Sequence, residues 1–420
     1  MSIKIKENNK FYVYNDNVMI FLPEIEYKEL DIEKYKNSFN DKFYDFPSSI
    51  AINMINDCNL NCNYCYANQG NYNKKGIKIS VPSAKKAINY IVKCIIDNGE
   101  KKAKITFFGG EPLLAYNEIK KLVLYCKNEF PQIDFRFGTI TNGTLLNSAM
   151  VNFFEKNKFG LSISIDGDRS THDKYRKFIN GMGSYDKIIS NIKLLNDYSR
   201  CSIRITITND NYKIDEYIKS LLKETDIRKF TFGIDTNIST DDYEKFFIHY
   251  NNLYSNYLKD IKEGFYYDIT NITMPIIHLI YRAKSFSYCK AGTAYFALAS
   301  DGKIYSCHRF ASNIVKEITN IDNINIINEY SKNFKKEQIN HKNNVNNECY
   351  SCAFKNICSG ICPYDTYVET GKFLGYSKRI CKLRKKTLIN MFSLIAKLDQ
   401  EKTNVKKDFM TYIIKSKSNG

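Results

Sequence analysis

Between about residues 49 and 235, short apolar runs rich in β-branched and aromatic residues alternate with stretches whose apolar positions recur every three or four residues. That alternation predicts repeated strand–helix units around a parallel sheet. Six strands are expected, at Ile50–Ile55, Ile105–Phe108, Phe135–Thr141, Leu161–Ile165, Ile203–Thr208 and Phe230–Ile234. Behind the first, Ala84, Ala87, Ile88, Ile91, Val92 and Ile95 share one helical face after Pro82, a residue suited to a first turn. Ile188, Ile189, Ile192 and Leu195 repeat the pattern. The fold class is α/β, a partial barrel of six β/α units.

Upstream, Phe11–Tyr14 and Val18–Leu22 flank Asn15-Asp16-Asn17 as a hairpin, and Asp31–Phe39 reads as a short helix. Downstream, the stretch from Cys289 to Cys381 is rich in cysteines and turns, and Lys386–Ile414 has an amphipathic helical period. These shifts divide the chain into an N-terminal extension (1–47), the barrel (48–240), a bridging region (241–288), a small cysteine-rich domain (289–385) and a C-terminal helix (386–420).

In a parallel barrel, chemistry gathers on the loops after the strand C-termini. The uncommon residues of this chain sit there: Cys58–Cys65 after the first strand, Gly109–Pro112 after the second, Thr141–Gly143 after the third and Asp166–Gly167 after the fourth. Four motifs are thereby predicted on one rim. Arg204 interrupts an otherwise apolar fifth strand, where a guanidinium could grip a carboxylate or serve an ordinary ion pair.

Composition narrows the chemistry. With 420 residues and 43% hydrophobic content the chain can bury a large core. No apolar run reaches the roughly 18 residues of a membrane span, and the opening MSIKIKENNKF has no signal-peptide core, so a cytoplasmic location without membrane association is expected. The net charge of +17 comes from lysines interspersed with Asp and Glu, the pattern of a solvated surface, with an acidic peptide the partner such a field would favour over nucleic acid. Thirteen cysteines in a reducing compartment argue for metal ligation over disulfides. Cys94, Cys126 and Cys201 are scattered in apolar surroundings and read as buried thiols; the other ten are clustered.

The first cluster runs Cys58-Asn-Leu-Asn-Cys62-Asn-Tyr-Cys65-Tyr66. A zinc site normally takes four ligands, and three thiolates suit an iron–sulfur cluster with one iron open. This CxxxCxxC signature with its following aromatic resembles the radical S-adenosylmethionine (SAM) superfamily. The resemblance extends through Gly109-Gly110-Glu111-Pro112, Ile140–Thr144 and Ser162–Gly167. It implies that Cys58, Cys62 and Cys65 hold a catalytic [4Fe–4S] cluster. It also implies that Tyr66, Gly109, Gly110, Glu111, Pro112, Thr141, Asn142, Ser164, Asp166 and Arg204 surround SAM, whose cleavage yields a 5′-deoxyadenosyl radical.

Downstream, Cys289, Cys307, Cys349-x2-Cys352-x5-Cys358-x3-Cys362 and Cys381 resemble the SPASM extension of this superfamily, with a zinc ribbon as the alternative. The resemblance implies two auxiliary [4Fe–4S] clusters, an outer one on Cys349, Cys352, Cys358 and Cys381 and an inner one on Cys289, Cys307 and Cys362. Fully liganded members carry a further cysteine after a Gly-Thr pair; here Gly292-Thr293 leads to Ala294. The inner cluster is therefore expected to keep an open iron, filled by a substrate thiolate, a water or another side chain.

Enzymes of this kind act on peptides and proteins. Anaerobic sulfatase maturases, which make formylglycine, place an Asp base after the cysteine that matches Cys307; this chain has His308. Tyr305–Phe310 looks more like maturases of ribosomally made peptides, so a Cys sulfur-to-carbon thioether is the expected product. The alternatives are formylglycine formation, C–C or C–O crosslinking, and a non-catalytic electron carrier. A precursor peptide and an external electron donor such as a flavodoxin or ferredoxin are the implied partners. The 57 residues before Cys58 are short for a leader-binding winged helix, leaving a reduced version or a barrel cap.

Overall fold

The computed structural model describes residues 1–35, 46–284, 289–312, 314–358, 360–401 and 403–418. All six predicted strands form, after β1 (Ser2–Glu7), β2 (Lys10–Asn15) and β3 (Ile20–Pro23) of a separate sheet: β4 (Ser49–Asn53), β5 (Lys102–Phe108), β6 (Asp134–Thr141), β7 (Gly160–Ser164), β8 (Cys201–Ile207) and β9 (Lys229–Ile234). They lie side by side in chain order, every neighbouring pair parallel.

Period-two burial explains how each strand serves two surroundings. In β8, Cys201, Ile203, Ile205 and Ile207 are buried in the main core, whereas Ser202, Arg204 and Thr206 occupy the opposite face and Arg204 is exposed. Helix Val81–Asp97 starts as its sequence requires: Ser80 accepts from Ser83 N–H, Pro82 stands in the first turn, and the six predicted apolar positions are all buried. Each fully buried aliphatic side chain contributes about 1.5–3 kcal/mol, so the sheet–helix interface is the main stabilising layer. Cys94, Cys126 and Cys201 belong to this core.

The sheet does not stop at the barrel. β10 (Asp268–Ile269) extends one edge, and β11 (Tyr295–Leu298) pairs parallel with β4 on the other, followed by antiparallel β12 (Lys303–Tyr305) and β13 (Thr319–Asn320). The Ala294 carbonyl, at the head of β11, accepts from Ser48 N–H, Ser49 N–H and Ser49 Oγ at 2.9–3.0 Å. The cysteine-rich region is thus continuous with the barrel sheet.

The expected hairpin forms and gains a strand, and the C-terminal helix is corrected. The predicted hairpin is part of a three-stranded antiparallel sheet, β1 (Ser2–Glu7), β2 (Lys10–Asn15) and β3 (Ile20–Pro23), because Ile3 and Ile5 alternate with Lys4 and Lys6 and pair with β2. The single helix expected over Lys386–Ile414 is two, Lys378–Asp399 and Thr403–Ser418. Polar side chains account for the break: Asp399 bonds Lys406 at 2.6 Å, and Gln400 donates to the Glu7 carbonyl at 3.2 Å. Of the helix expected at Asp31–Phe39, Ile32–Tyr35 forms a 3-10 turn and residues 36–39 lie outside the described residues.

Candidate iron–sulfur and cofactor site

The loop after β4 carries Cys58, Cys62 and Cys65, and the loop after β5 packs directly on its base. Gly110 N–H donates to the Ile55 carbonyl (2.9 Å) and Glu111 N–H to the Asp57 carbonyl (2.8 Å). A side chain at Gly110 would lie 2.1 Å from the Asp57 oxygen, and one at Gly70 would lie 2.6 Å from Cys58 Cβ, so both positions require glycine for close approach. The glycines expected to admit a ligand also let two backbone segments meet.

Glu111 ties the rim together. Its buried carboxylate accepts from Leu113 N–H (3.0 Å), Thr141 Oγ1 (2.7 Å) and Asn142 N–H (2.7 Å), and Pro112 begins the short turn it caps. Burial pushes its pKa up to about 7 despite those three donors. Asn142 extends the link, its amide donating to Asn59 Oδ1 at 2.9 Å and lying 3.8 Å from Cys58 Sγ. Tyr66, beside Cys65, reaches the Tyr72 hydroxyl at 3.3 Å, and Tyr72 donates to the Gly109 carbonyl.

Further round the rim the predicted residues differ in character. Ser164 is buried and stands in register with exposed Arg204 on the neighbouring strand. Asp166 is fully buried and saturated from within the chain: Arg176 Nε donates at 2.7 Å, Thr206 N–H at 2.8 Å, and the Tyr64 hydroxyl also donates. Arg176, His172 and Ser184 escaped the sequence reading; the signal was a His, an Arg and a Ser in the polar stretch after Gly167, which has no metal-ligand spacing.

Cys58 lies close enough to Cys62 and Cys65 to couple with them electrostatically, Cys307 to Cys289 and Cys362, and Cys349 to Cys352, Cys358 and Cys381. No disulfide forms among the described residues. Tetrahedral zinc would draw its sulfurs to about 3.8 Å of one another. Among the described residues no three cysteine sulfurs lie mutually within 4.8 Å; the one tight trio of donors is Asp215, Glu216 and His249, in which His249 already bonds Asp215 at 2.7 Å. Soft thiols at wider spacing fit iron–sulfur clusters. Burial, with Glu111 adding to it, pushes the Cys58 thiol up to about 12; burial takes Cys62 and Cys349 to about 11 and Cys362 to about 12. These groups hold their protons until a metal centre displaces them.

Between the first and inner groups lies an aromatic wall. His308 Nδ1 is 2.6 Å from the Tyr295 hydroxyl, and its ring meets Phe108, Tyr295 and Tyr66 edge-on. Burial, reinforced by Arg204 and Arg309, pushes its pKa down to about 3. Arg309 stacks on Tyr364 at 3.8 Å, pairs with Asp365 at 2.6 Å and lies 3.7 Å from Cys362 Sγ.

Residues 52–222 match the model of the radical SAM superfamily. A cysteine-type anaerobic sulfatase-maturating enzyme of Clostridium novyi (strain NT) is 28% identical over 326 residues, 73% of this chain and 85% of the relative. Among solved structures, anSMEcpe with bound AdoMet and the Cp18Cys peptide superposes with a TM-score of 0.69 at 21% identity, covering 86% of this chain and 99% of that one. Streptococcus suis SuiB bound to precursor peptide SuiA gives 0.55 at 19% identity, over 80% and 76%. No helix among the described residues is long and apolar enough to cross a membrane.

Proposed function

This chain is a radical SAM enzyme, its radical SAM domain spanning residues 52–222, and we propose that it matures a ribosomally made peptide by joining a cysteine sulfur to a carbon as a thioether. The observation that carries this reading is the make-up of the thiol groups: three cysteines at the rim, three in the inner group with Ala294 where a fourth would stand, and four in the outer group. Cys58, Cys62 and Cys65 would hold the SAM-binding [4Fe–4S] cluster, and the other two groups an auxiliary cluster each. A three-thiolate inner site leaves a position that a peptide thiolate can take.

When bound, the cluster and SAM supply a 5′-deoxyadenosyl radical. The residues of the chain do the rest. The Glu111 knot holds the loops after β5 and β6 against the cysteine loop, and Asn142 fixes Cys58. Ser164 and Arg204 offer a hydroxyl and a cation for the ribose and carboxylate of SAM. Thioether formation would pass a hydrogen atom from carbon to the adenosyl radical, release a proton from sulfur, and leave one electron for an oxidised auxiliary cluster to take up as the C–S bond forms. An external flavodoxin or ferredoxin would supply the electron for SAM cleavage, in a cytoplasm that keeps thiols reduced.

Formylglycine formation is the second reading, favoured by likeness to the sulfatase maturase. It needs a base beside the substrate, and this chain has His308 after Cys307 where those maturases place an Asp. His308 therefore supports the thioether reading. Docking of a leader segment on the N-terminal sheet, where β1 and β3 are edge strands, would use strand addition. Deleting residues 1–40 and measuring precursor affinity tests that role.

The test of the product is mass spectrometry of a cysteine-containing precursor peptide encoded beside this gene, incubated anaerobically with enzyme, SAM and reductant. A product lighter by a pair of hydrogens, with its cysteine no longer alkylable, supports the thioether. An aldehyde in place of the thiol would establish the second reading.

A further inference from the structure

The chain from Asp166 to Tyr185 is strapped along the cysteine loop. Asn61 N–H donates to the Lys177 carbonyl (2.8 Å) and Asn63 N–H to the Tyr175 carbonyl (3.3 Å), while Leu60 bridges Phe178 in antiparallel fashion. This register sets residue 176 opposite residue 62. Arg176 accordingly lies on the segment directly facing Cys62.

The cation is held from several sides. Its side chain is 9% exposed, its Nε donates to Asp166 at 2.7 Å, and the guanidinium lies 5.3 Å from the Tyr64 ring centroid. Asp166 N–H donates to His172 Nδ1 (3.2 Å), so the ring proton sits on Nε2 and meets Ser184 Oγ at 2.9 Å. Ser184 Oγ then donates to the Arg176 carbonyl at 2.7 Å, closing a loop that fixes both members of the pair. Nothing in this arrangement leaves Asp166 free to leave Arg176: its other acceptor positions serve Tyr64 and Thr206.

We propose that Arg176 is a positioning residue for the rim cluster, holding a buried cation beside the Cys62 ligand and so raising the reduction potential of the cluster. The proposal rests on the assignment of Cys58, Cys62 and Cys65 to that cluster. Reduction adds negative charge, and a fixed cation beside a ligand sulfur in a poorly solvated site favours it. Asp166 has two effects: it holds the guanidinium in place, and its own charge opposes part of the gain.

The experiment is an anaerobic potentiometric titration of the reconstituted full chain, following the electron paramagnetic resonance signal that responds to SAM, with iron assays on every sample. Arg176→Met keeps the length of the side chain without its charge; Asp166→Asn removes the opposing charge while keeping a hydrogen-bonding group. The expected result is shifts of opposite sign, downward for Arg176→Met and upward for Asp166→Asn, with Arg176→Lys between Arg176→Met and wild type. Shifts of the same sign, an unchanged potential in Arg176→Met, or loss of the cluster from both variants would overturn the electrostatic role. A wild-type chain that takes up no iron at the rim would instead sink the cluster assignment beneath it.

Discussion

Asn142 donates its backbone N–H to Glu111 Oε2 at 2.7 Å, joining the loop after one barrel strand to the loop after the next. Glu111→Ala would orphan that donor together with Leu113 N–H and Thr141 Oγ1, each at about 1–3 kcal/mol if it stays buried. The expected outcome is a loss of roughly 3 kcal/mol or more in urea unfolding and weaker SAM binding by equilibrium dialysis. Glu111→Gln, which keeps one acceptor oxygen, should fall between.

Asp16 connects the N-terminal sheet to the outer cysteine group. Its carboxylate, 3% exposed, accepts from Asn356 N–H at 3.0 and 3.1 Å, between Cys352 and Cys358, and from the Tyr14 hydroxyl at 2.8 Å. Asp16→Ala should lower the iron content by up to one cluster per chain while the SAM-responsive signal persists. Iron assay and paramagnetic resonance together check this. The same variant serves as the control for any deletion of the N-terminal sheet.

His172 is fully buried among Asp166, Arg176, Ser184 and Tyr185, and burial first, then Arg176, pushes its pKa from 6.5 down to about 3. The native state therefore stays neutral while the unfolded chain takes up a proton below its ordinary value. The contribution of neutral His172 to stability is intact above about pH 6.5 and declines as pH falls toward 3, by about 1.4 kcal/mol per pH unit. Urea unfolding at pH 7 and 5.5 should show a loss of about 1 kcal/mol from this group in the wild type and a smaller loss in His172→Gln.

Ala294 tests the open inner site. Ala294→Cys adds a thiol at a position only 1% exposed, with a packing cost of about 1–3 kcal/mol. Completing the inner group should reduce peptide crosslinking to background while SAM cleavage continues, checked by mass spectrometry of peptide and nucleoside from the same reaction.

The six barrel strands were legible because their apolar periodicity is local; the seven downstream cysteines were not divisible by spacing, since Cys362 follows Cys358 by four residues yet lies nearer Cys307 and Cys289. β11 was not legible: Tyr295–Leu298 becomes a strand by pairing with β4, more than two hundred residues earlier, which no local pattern records. Arg176 and His172 were hidden for a related reason. Their meaning lies in a register between 60–63 and 175–178 and in a ring of hydrogen bonds through Ser184. Asp166 was visible as a strand-end carboxylate, but its saturation by Arg176, Thr206 and Tyr64 emerges only in three dimensions.

The most direct measurement is anaerobic reconstitution with iron and sulfide followed by chromatography of a reaction containing SAM and dithionite. The account predicts methionine and 5′-deoxyadenosine from the wild type and neither from the variant in which Cys58, Cys62 and Cys65 are replaced by alanine, which should retain the auxiliary iron. A wild type that binds iron yet leaves SAM intact, or a triple variant that still forms 5′-deoxyadenosine, would contradict it.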